Sequence, residues 1–198
     1  METNYVITIG RQLGSGGKAL GELLSLKLKI PCYDKELILI ASRESGLEKE
    51  FFEKADEKNS RNFLSFLFAG HHEGTESYLS NEKLFKIQSD VIKKIAKRES
   101  CIFVGRCADY ILREHKNLIS VFVCANLDDR IRTISNNNNI SALDAQNLIT
   151  QTDKKRAAYY NYFSNKTWGM GTSYDLCFNS SIISLEKIAE LICEQIKF

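Results

Sequence analysis

Tyr5-Val-Ile-Thr-Ile-Gly-Arg-Gln-Leu-Gly-Ser-Gly-Gly-Lys-Ala-Leu-Gly21 decides the fold. Val6, Ile7 and Ile9 make a nearly continuous β-branched run, the pattern of a parallel strand buried on both faces. Leu20, Leu23, Leu24 and Leu28 then recur at helical spacing. Between them, Gly14, Gly16 and Gly17 can reach positive φ and turn backbone N–H groups toward an anion at the helix N-terminus. The stretch reads as strand, phosphate loop, helix. It departs from the pattern G-x-x-x-x-G-K-[S/T] in two places: Gly17 stands where the lysine belongs and Arg11 where the first glycine belongs, with Lys18 one residue late.

Downstream, apolar runs alternate with helical periodicity. Ile30-Pro-Cys-Tyr-Asp34 is a short extended piece with Asp34 at its carboxyl end, an address for a metal or substrate contact or for a cap on a helix over Lys35–Arg43. Residues 44–80, with Phe51, Phe52, Phe63, Phe66 and Phe68 among charges, read as a helical insertion with a loop at Gly70-His-His-Glu-Gly74; its phenylalanines read as its own core or a homodimer contact ahead of a base-stacking platform. Asn81 to Glu99 is helical and leads into the strand Cys101–Val104, after which Gly105-Arg-Cys-Ala-Asp109 places Arg106 and Asp109 beyond the strand tip. Arginine there can grip a phosphate with two N–H groups, or pair with Asp109.

Leu118 to Cys124 is a third apolar strand, followed by a helix with Asp128 and Asp129 near its start and Arg130 and Arg132 within it. Asn136 to Asn139 favours a turn, so a hinge is expected there. Ser141-Ala-Leu-Asp144 starts a long helix, on which Asp153, Arg156 and Tyr160 share a face as a binding set or as a solvated ion pair. Tyr174 to Asn179 is the last strand and Leu185 to Ile196 the closing amphipathic helix. Strands alternating with helices imply an α/β architecture: a parallel sheet with helices on both faces, in a single domain over residues 1–198.

Composition bounds the rest. With 198 residues and 43% hydrophobic content the chain can build one substantial core, and a formal net charge of +2 gives no overall field for nucleic acid or a membrane surface. No run approaches the roughly 18 apolar residues of a membrane span, and the start lacks a basic secretory signal, so a cytoplasmic location is expected. The six cysteines contain no C-x-x-C pair and read as reduced core residues; the three histidines have no cysteine at zinc-ligand spacing.

Taken together, Arg11-Gln-Leu-Gly-Ser-Gly-Gly17, Tyr33-Asp-Lys-Glu-Leu37, Val104-Gly-Arg-Cys-Ala-Asp109, Asp153-Lys-Lys-Arg-Ala-Ala-Tyr-Tyr160, Trp168 and Tyr174-Asp-Leu-Cys-Phe-Asn179 resemble the cytidylate kinase-like proteins, a branch of the P-loop nucleoside monophosphate kinases. The resemblance implies a three-layer sandwich around a five-stranded parallel sheet, a helical insertion (about 44–80) that closes over an acceptor, and a lid (about 130–165). It implies ATP and Mg²⁺ as cofactors and transfer of phosphate to a nucleoside monophosphate such as CMP or dCMP. Gly14, Ser15, Gly16, Gly17 and Lys18 then correspond to the donor loop. Arg106, Asp109 and Asp153 fall on the acceptor side, Arg130 and Arg156 near the transferring phosphate, and Asp34 beside Mg²⁺ or the acceptor. In cytidylate kinases an aspartate follows the arginine at Arg106, where this chain has Cys107. With Gly17 in the lysine position, Arg11 or Lys18 must supply the missing charge; Arg11 is the better placed, since one helical step turns Lys18 by about 100°. A nucleotide-binding sensor without turnover, or a kinase for another small acceptor, would share these motifs.

Overall fold

The computed structural model describes residues 4–34 and 76–196. Five parallel strands form one sheet in the order β2-β3-β1-β4-β5: β1 Val6–Arg11, β2 Cys32–Tyr33, β3 Cys101–Val104, β4 Leu118–Cys124 and β5 Leu176–Asn179. β1 is central because its residues are apolar on both faces. Val6 opposes Cys101 on one side and Leu118 on the other, and Val6, Ile7 and Ile9 are fully buried.

The alternation of side chains divides the core in two. Ile7 and Ile9 pack with Leu20 and Leu24 of α1 (Gly17–Leu28) and with Ile188 and Ile192 of the closing helix, residues Leu185–Glu194. Val6 faces the opposite way, against Val91 and Ile92 of α2 (Glu76–Arg98) and Ile111 of the short α3 (Ala108–Ile111). Helices therefore cover both faces, as the strand–helix alternation predicts. α4 (Leu127–Asn138) and α5 (Ala142–Ser164) follow β4, and the closing helix is α6. Ile134, Ala145 and Ile149 join α4 to α5, and Leu13 from the glycine loop packs against them.

Several expected boundaries move. The asparagine run makes no hinge at its start: α4 continues through Asn138, and only Asn139 leaves the helix, at φ 52°. Asparagine tolerates that left-handed conformation, so the last of the four ends the helix while the others remain in it. Ser141 then caps α5 by accepting from the Asp144 N–H, as its sequence suggests. β5 starts at Leu176, α2 begins at Glu76 and α6 ends at Glu194. Among the cysteines Cys101 and Cys107 are buried, whereas Cys177 is exposed on the edge strand. The helix expected over 35–43, the insertion as far as residue 75 and the dimer contact assigned to it lie outside the described residues. No helix among the described residues is long and apolar enough to cross a membrane.

Candidate functional site

The carboxyl ends of β1, β2, β3 and β4 bring the candidate residues together. β1 runs out at Arg11, β2 is followed by Asp34, β3 by Gly105-Arg106, and β4 faces the loop. β1 has β3 on one side and β4 on the other, so this crevice lies where the chain switches direction across the sheet, the position at which open α/β folds collect ligands.

The loop between β1 and α1 is a rigid turn. Gly14 and Gly16 both have φ of 81°, and Gly16 is the residue before α1. Ser15 is buried; its hydroxyl donates to the carbonyls of Gln12 (3.0 Å) and Val123 (2.9 Å), so its side chain serves the turn. Ser180 donates to the Ser15 carbonyl at 2.8 Å, and the Gln12 side-chain oxygen accepts from the Ala125 N–H at 3.2 Å. Ser180 lies in no motif of the sequence, and Gln12, though inside the glycine-loop motif, was given no role by it. Both are found only once β4 and β5 are placed.

Arg11 holds the decisive position. Its side chain passes over Gly17: a Cβ on residue 17 would stand 2.5 Å from Arg11 Cβ and 2.8 Å from its Cγ. Its guanidinium reaches Gly105, where a Cβ would overlap Nη1. Gly17 is thus required by contact and not by φ, because it already begins α1 with no positive φ. Arg106 and Arg156 lie close enough for their charges to act on Arg11. Burial first, then these two cations, lower the Arg11 pKa from its ordinary value to about 9. Burial also lowers Arg156, which Asp153 raises and Arg130 and Arg106 lower further. Arg156 donates to the Arg11 carbonyl at 3.1 Å. Among the described residues no ion pair engages Arg11 or Arg106, so three crowded guanidinium groups share only the carboxylates around them. Such a cluster calls for a polyanion.

Other candidates have different posts. Arg130, expected on a lid beside the transferring phosphate, is buried beneath the loop: Nε donates to the Leu13 carbonyl at 2.7 Å and Nη2 to Asp153. Asp153, expected on the acceptor side, accepts from the Leu13 N–H at 2.8 Å and lies 3.8 Å from Arg156. Together they fasten the loop to α5. Arg132 pairs on the surface with Asp129 at 3.1 Å. Asp109 is buried and accepts from the Tyr160 hydroxyl at 2.7 Å; burial raises its carboxyl pKa and the Tyr160 bond opposes that shift. Tyr160 stacks on Tyr174, and Phe122 packs between Tyr174 and Trp168, so Asp109 is part of an aromatic core.

Lys18 occupies the last position of G-x-x-x-x-G-K-[S/T], where a hydroxyl would ligate Mg²⁺, and its ammonium lies 3.4 Å from Asp34. The carboxylate read as the Mg²⁺ or acceptor candidate thus has a lysine beside it, with the Arg11 charge also acting nearby. Among the described residues no group of three or more His, Cys, Asp or Glu side chains could hold a metal.

Comparisons agree with this architecture. A family model described as the cytidylate kinase-like family matches residues 6–182. No curated protein matches the sequence. Among solved structures, an uncharacterized protein from Eubacterium ventriosum superposes with a TM-score of 0.73 at 24% identity, covering 98% of each chain. Shikimate kinase from Bacteroides thetaiotaomicron gives 0.52 at 18% identity, covering 95% of this chain and 98% of its own. Shikimate kinase from Acinetobacter baumannii, in complex with shikimate, gives 0.54 at 14% identity, covering 98% and 94%. At these identities the likeness is one of fold.

Proposed function

Because the chain belongs to the cytidylate kinase-like family, we propose that it transfers a phosphoryl group from ATP to a nucleoside monophosphate, CMP or dCMP being the first acceptors to test. The family and the fold are those of nucleotide-dependent phosphotransferases. The observation that carries the reading to this site is the convergence of Arg11, Arg106 and Arg156 beside a glycine loop at the carboxyl edge of the sheet.

Phosphoryl transfer asks little covalent chemistry of a protein; it needs donor and acceptor aligned and the charge on the transferring group neutralised. In this reading the backbone N–H groups of Gly14 to Lys18 hold the donor phosphates and Arg11 gives the charge that a loop lysine would give. Arg106 grips the acceptor phosphate, and Arg156, tied to the Arg11 carbonyl at 3.1 Å, bridges the two. Arg130 and Asp153 act on the loop and through it. Mg²⁺, when present, enters with the triphosphate as part of the substrate.

A coupled ADP-release assay over the common ribo- and deoxyribonucleoside monophosphates tests the reading. Turnover with at least one of them, above the ATP hydrolysis seen without acceptor, is expected. ATP binding without turnover on any acceptor would replace the enzyme with a nucleotide-binding module.

A further inference from the structure

One buried amide has no task in the fold. Gln88 on α2 is 5% exposed, yet among the described residues neither its Nε2 nor its Oε1 finds a hydrogen-bond partner. A packed apolar side chain would avoid the desolvation cost of that amide, so stability alone does not account for glutamine here.

Its position points to a ligand. α2 leads directly into β3, so it runs back along the sheet: Ile95 and Ile92 pack with Val6, Cys101 and Phe103, and the helix face then climbs through Gln88 to Phe85, toward the carboxyl edge that carries Arg106. Phe85 and Gln88 are three residues apart and share that face. Phe85 stacks on Phe163, with ring centroids 4.1 Å apart, and meets Tyr159 at 6.3 Å. The Tyr159 hydroxyl is buried beside Arg106, whose charge and side-chain hydrogen bonding both act on the phenol. An unpartnered carboxamide, an aromatic cluster and a tyrosine hydroxyl beside an arginine thus follow one another from α2 toward Arg106.

We propose that Gln88 reads the planar hydrogen-bonding edge of the acceptor's nucleobase, with Tyr159 as a second polar contact and Arg106 on the phosphate. A carboxamide offers an acceptor and two donors in one plane, the complement of a base edge that pairs a donor with an acceptor. A sugar or polyol phosphate has no such edge. The inference rests on the phosphotransferase reading and narrows its acceptor to a molecule with both a base and a phosphate.

The test uses equilibrium binding of CMP, AMP, UMP and GMP, with ribose 5-phosphate as the probe that carries phosphate and no base, to the full chain and to Gln88→Leu and Gln88→Met. Each variant's unfolding midpoint is measured in parallel. Both variants are expected to be at least as stable as the wild type, since they remove an unsatisfied amide. They are expected to bind the best nucleoside monophosphate about tenfold more weakly or worse, the loss of one bidentate contact, with ribose 5-phosphate unchanged. Wild-type affinity for every monophosphate in both variants, or a lowered midpoint in both with unchanged affinity, overturns the assignment and leaves Gln88 as a structural residue. A wild type that binds no nucleoside monophosphate overturns the acceptor reading itself, and the role of Gln88 with it.

Discussion

Arg11 lies across Gly17, with its Cβ 2.5 Å and its Cγ 2.8 Å from where a Cβ of residue 17 would be. The residue missing from the usual loop pattern and the residue added to it are therefore one structural feature. Arginine at the end of β1 fills the space over the helix start, and glycine there and at Gly105 leaves the path open. In the proposed reading the loop keeps its backbone cradle and moves its cation from the first turn of the helix to the end of the strand.

Gly17→Ala separates this account from a plain helix start. Alanine is favoured over glycine in helices by about 1 kcal/mol, so an uncrowded site would gain stability. Here the new Cβ displaces the stem of Arg11. ATP affinity is expected to fall about tenfold or more with no gain in the unfolding midpoint. A more stable variant with unchanged affinity would show that Arg11 does not need the space.

Arg130→Ala should behave as a loss of structure. Its side chain is 6% exposed and that of Asp153 15%, and both hold the Leu13 backbone. Removing Arg130 takes the charged hydrogen-bond partner from a carboxylate that keeps the Leu13 N–H and Arg156 at 3.8 Å, at a cost of about 2 kcal/mol. Urea denaturation should register this directly. An unchanged midpoint with turnover lost would return Arg130 to the lid role that its position in the sequence suggests.

Lys18→Thr restores the hydroxyl of the usual loop and removes the ammonium beside Asp34. ATP binding by this variant is expected to depend on Mg²⁺, weakening by about tenfold when EDTA replaces the metal. Binding by the wild type, with Lys18 and Arg11 present, should change less. Calorimetry on both proteins, with and without Mg²⁺, measures the difference, and an equal or greater dependence in the wild type would contradict the role given to Lys18.

The sheet was legible because its strands are unbroken apolar runs. Cys101–Val104 and Leu118–Cys124 have the boundaries that their sequence predicts. The glycine loop could be read from Gly14 and Gly16, whose positive φ follows from their spacing. Charged residues were harder, since sequence spacing shows which helix face a side chain shares and not whether that face is covered. Asp153 reads from its spacing as the partner of Arg156, and only the packing of α4 against α5 and Leu13 brings Arg130 to it and buries that pair. Asp109 follows a strand tip as a ligand would, but its partner Tyr160 is 51 residues away. Gly105 was a signal present and unused: a glycine at a strand tip, facing a long cation from the neighbouring strand, marks a crossing point.

The most direct measurement is ATP affinity for the wild type and Arg11→Ala, from pH 7 to pH 10. Burial and the charges of Arg156 and Arg106 lower the Arg11 pKa to about 9, whereas a bound phosphate selects its charged form. Below pH 9 the charge is present and affinity should be level; above it binding must first take up a proton, so affinity should fall by up to about tenfold per pH unit. The same shift acts on stability in the opposite sense: the unfolded chain holds this proton to a much higher pH, so above about pH 9 Arg11 makes the free protein more stable as pH rises. The account predicts that Arg11→Ala binds ATP at least about tenfold more weakly at pH 7 and loses the decline above pH 9. Equal affinities at pH 7 with the same pH profile, in a variant that folds, would contradict it.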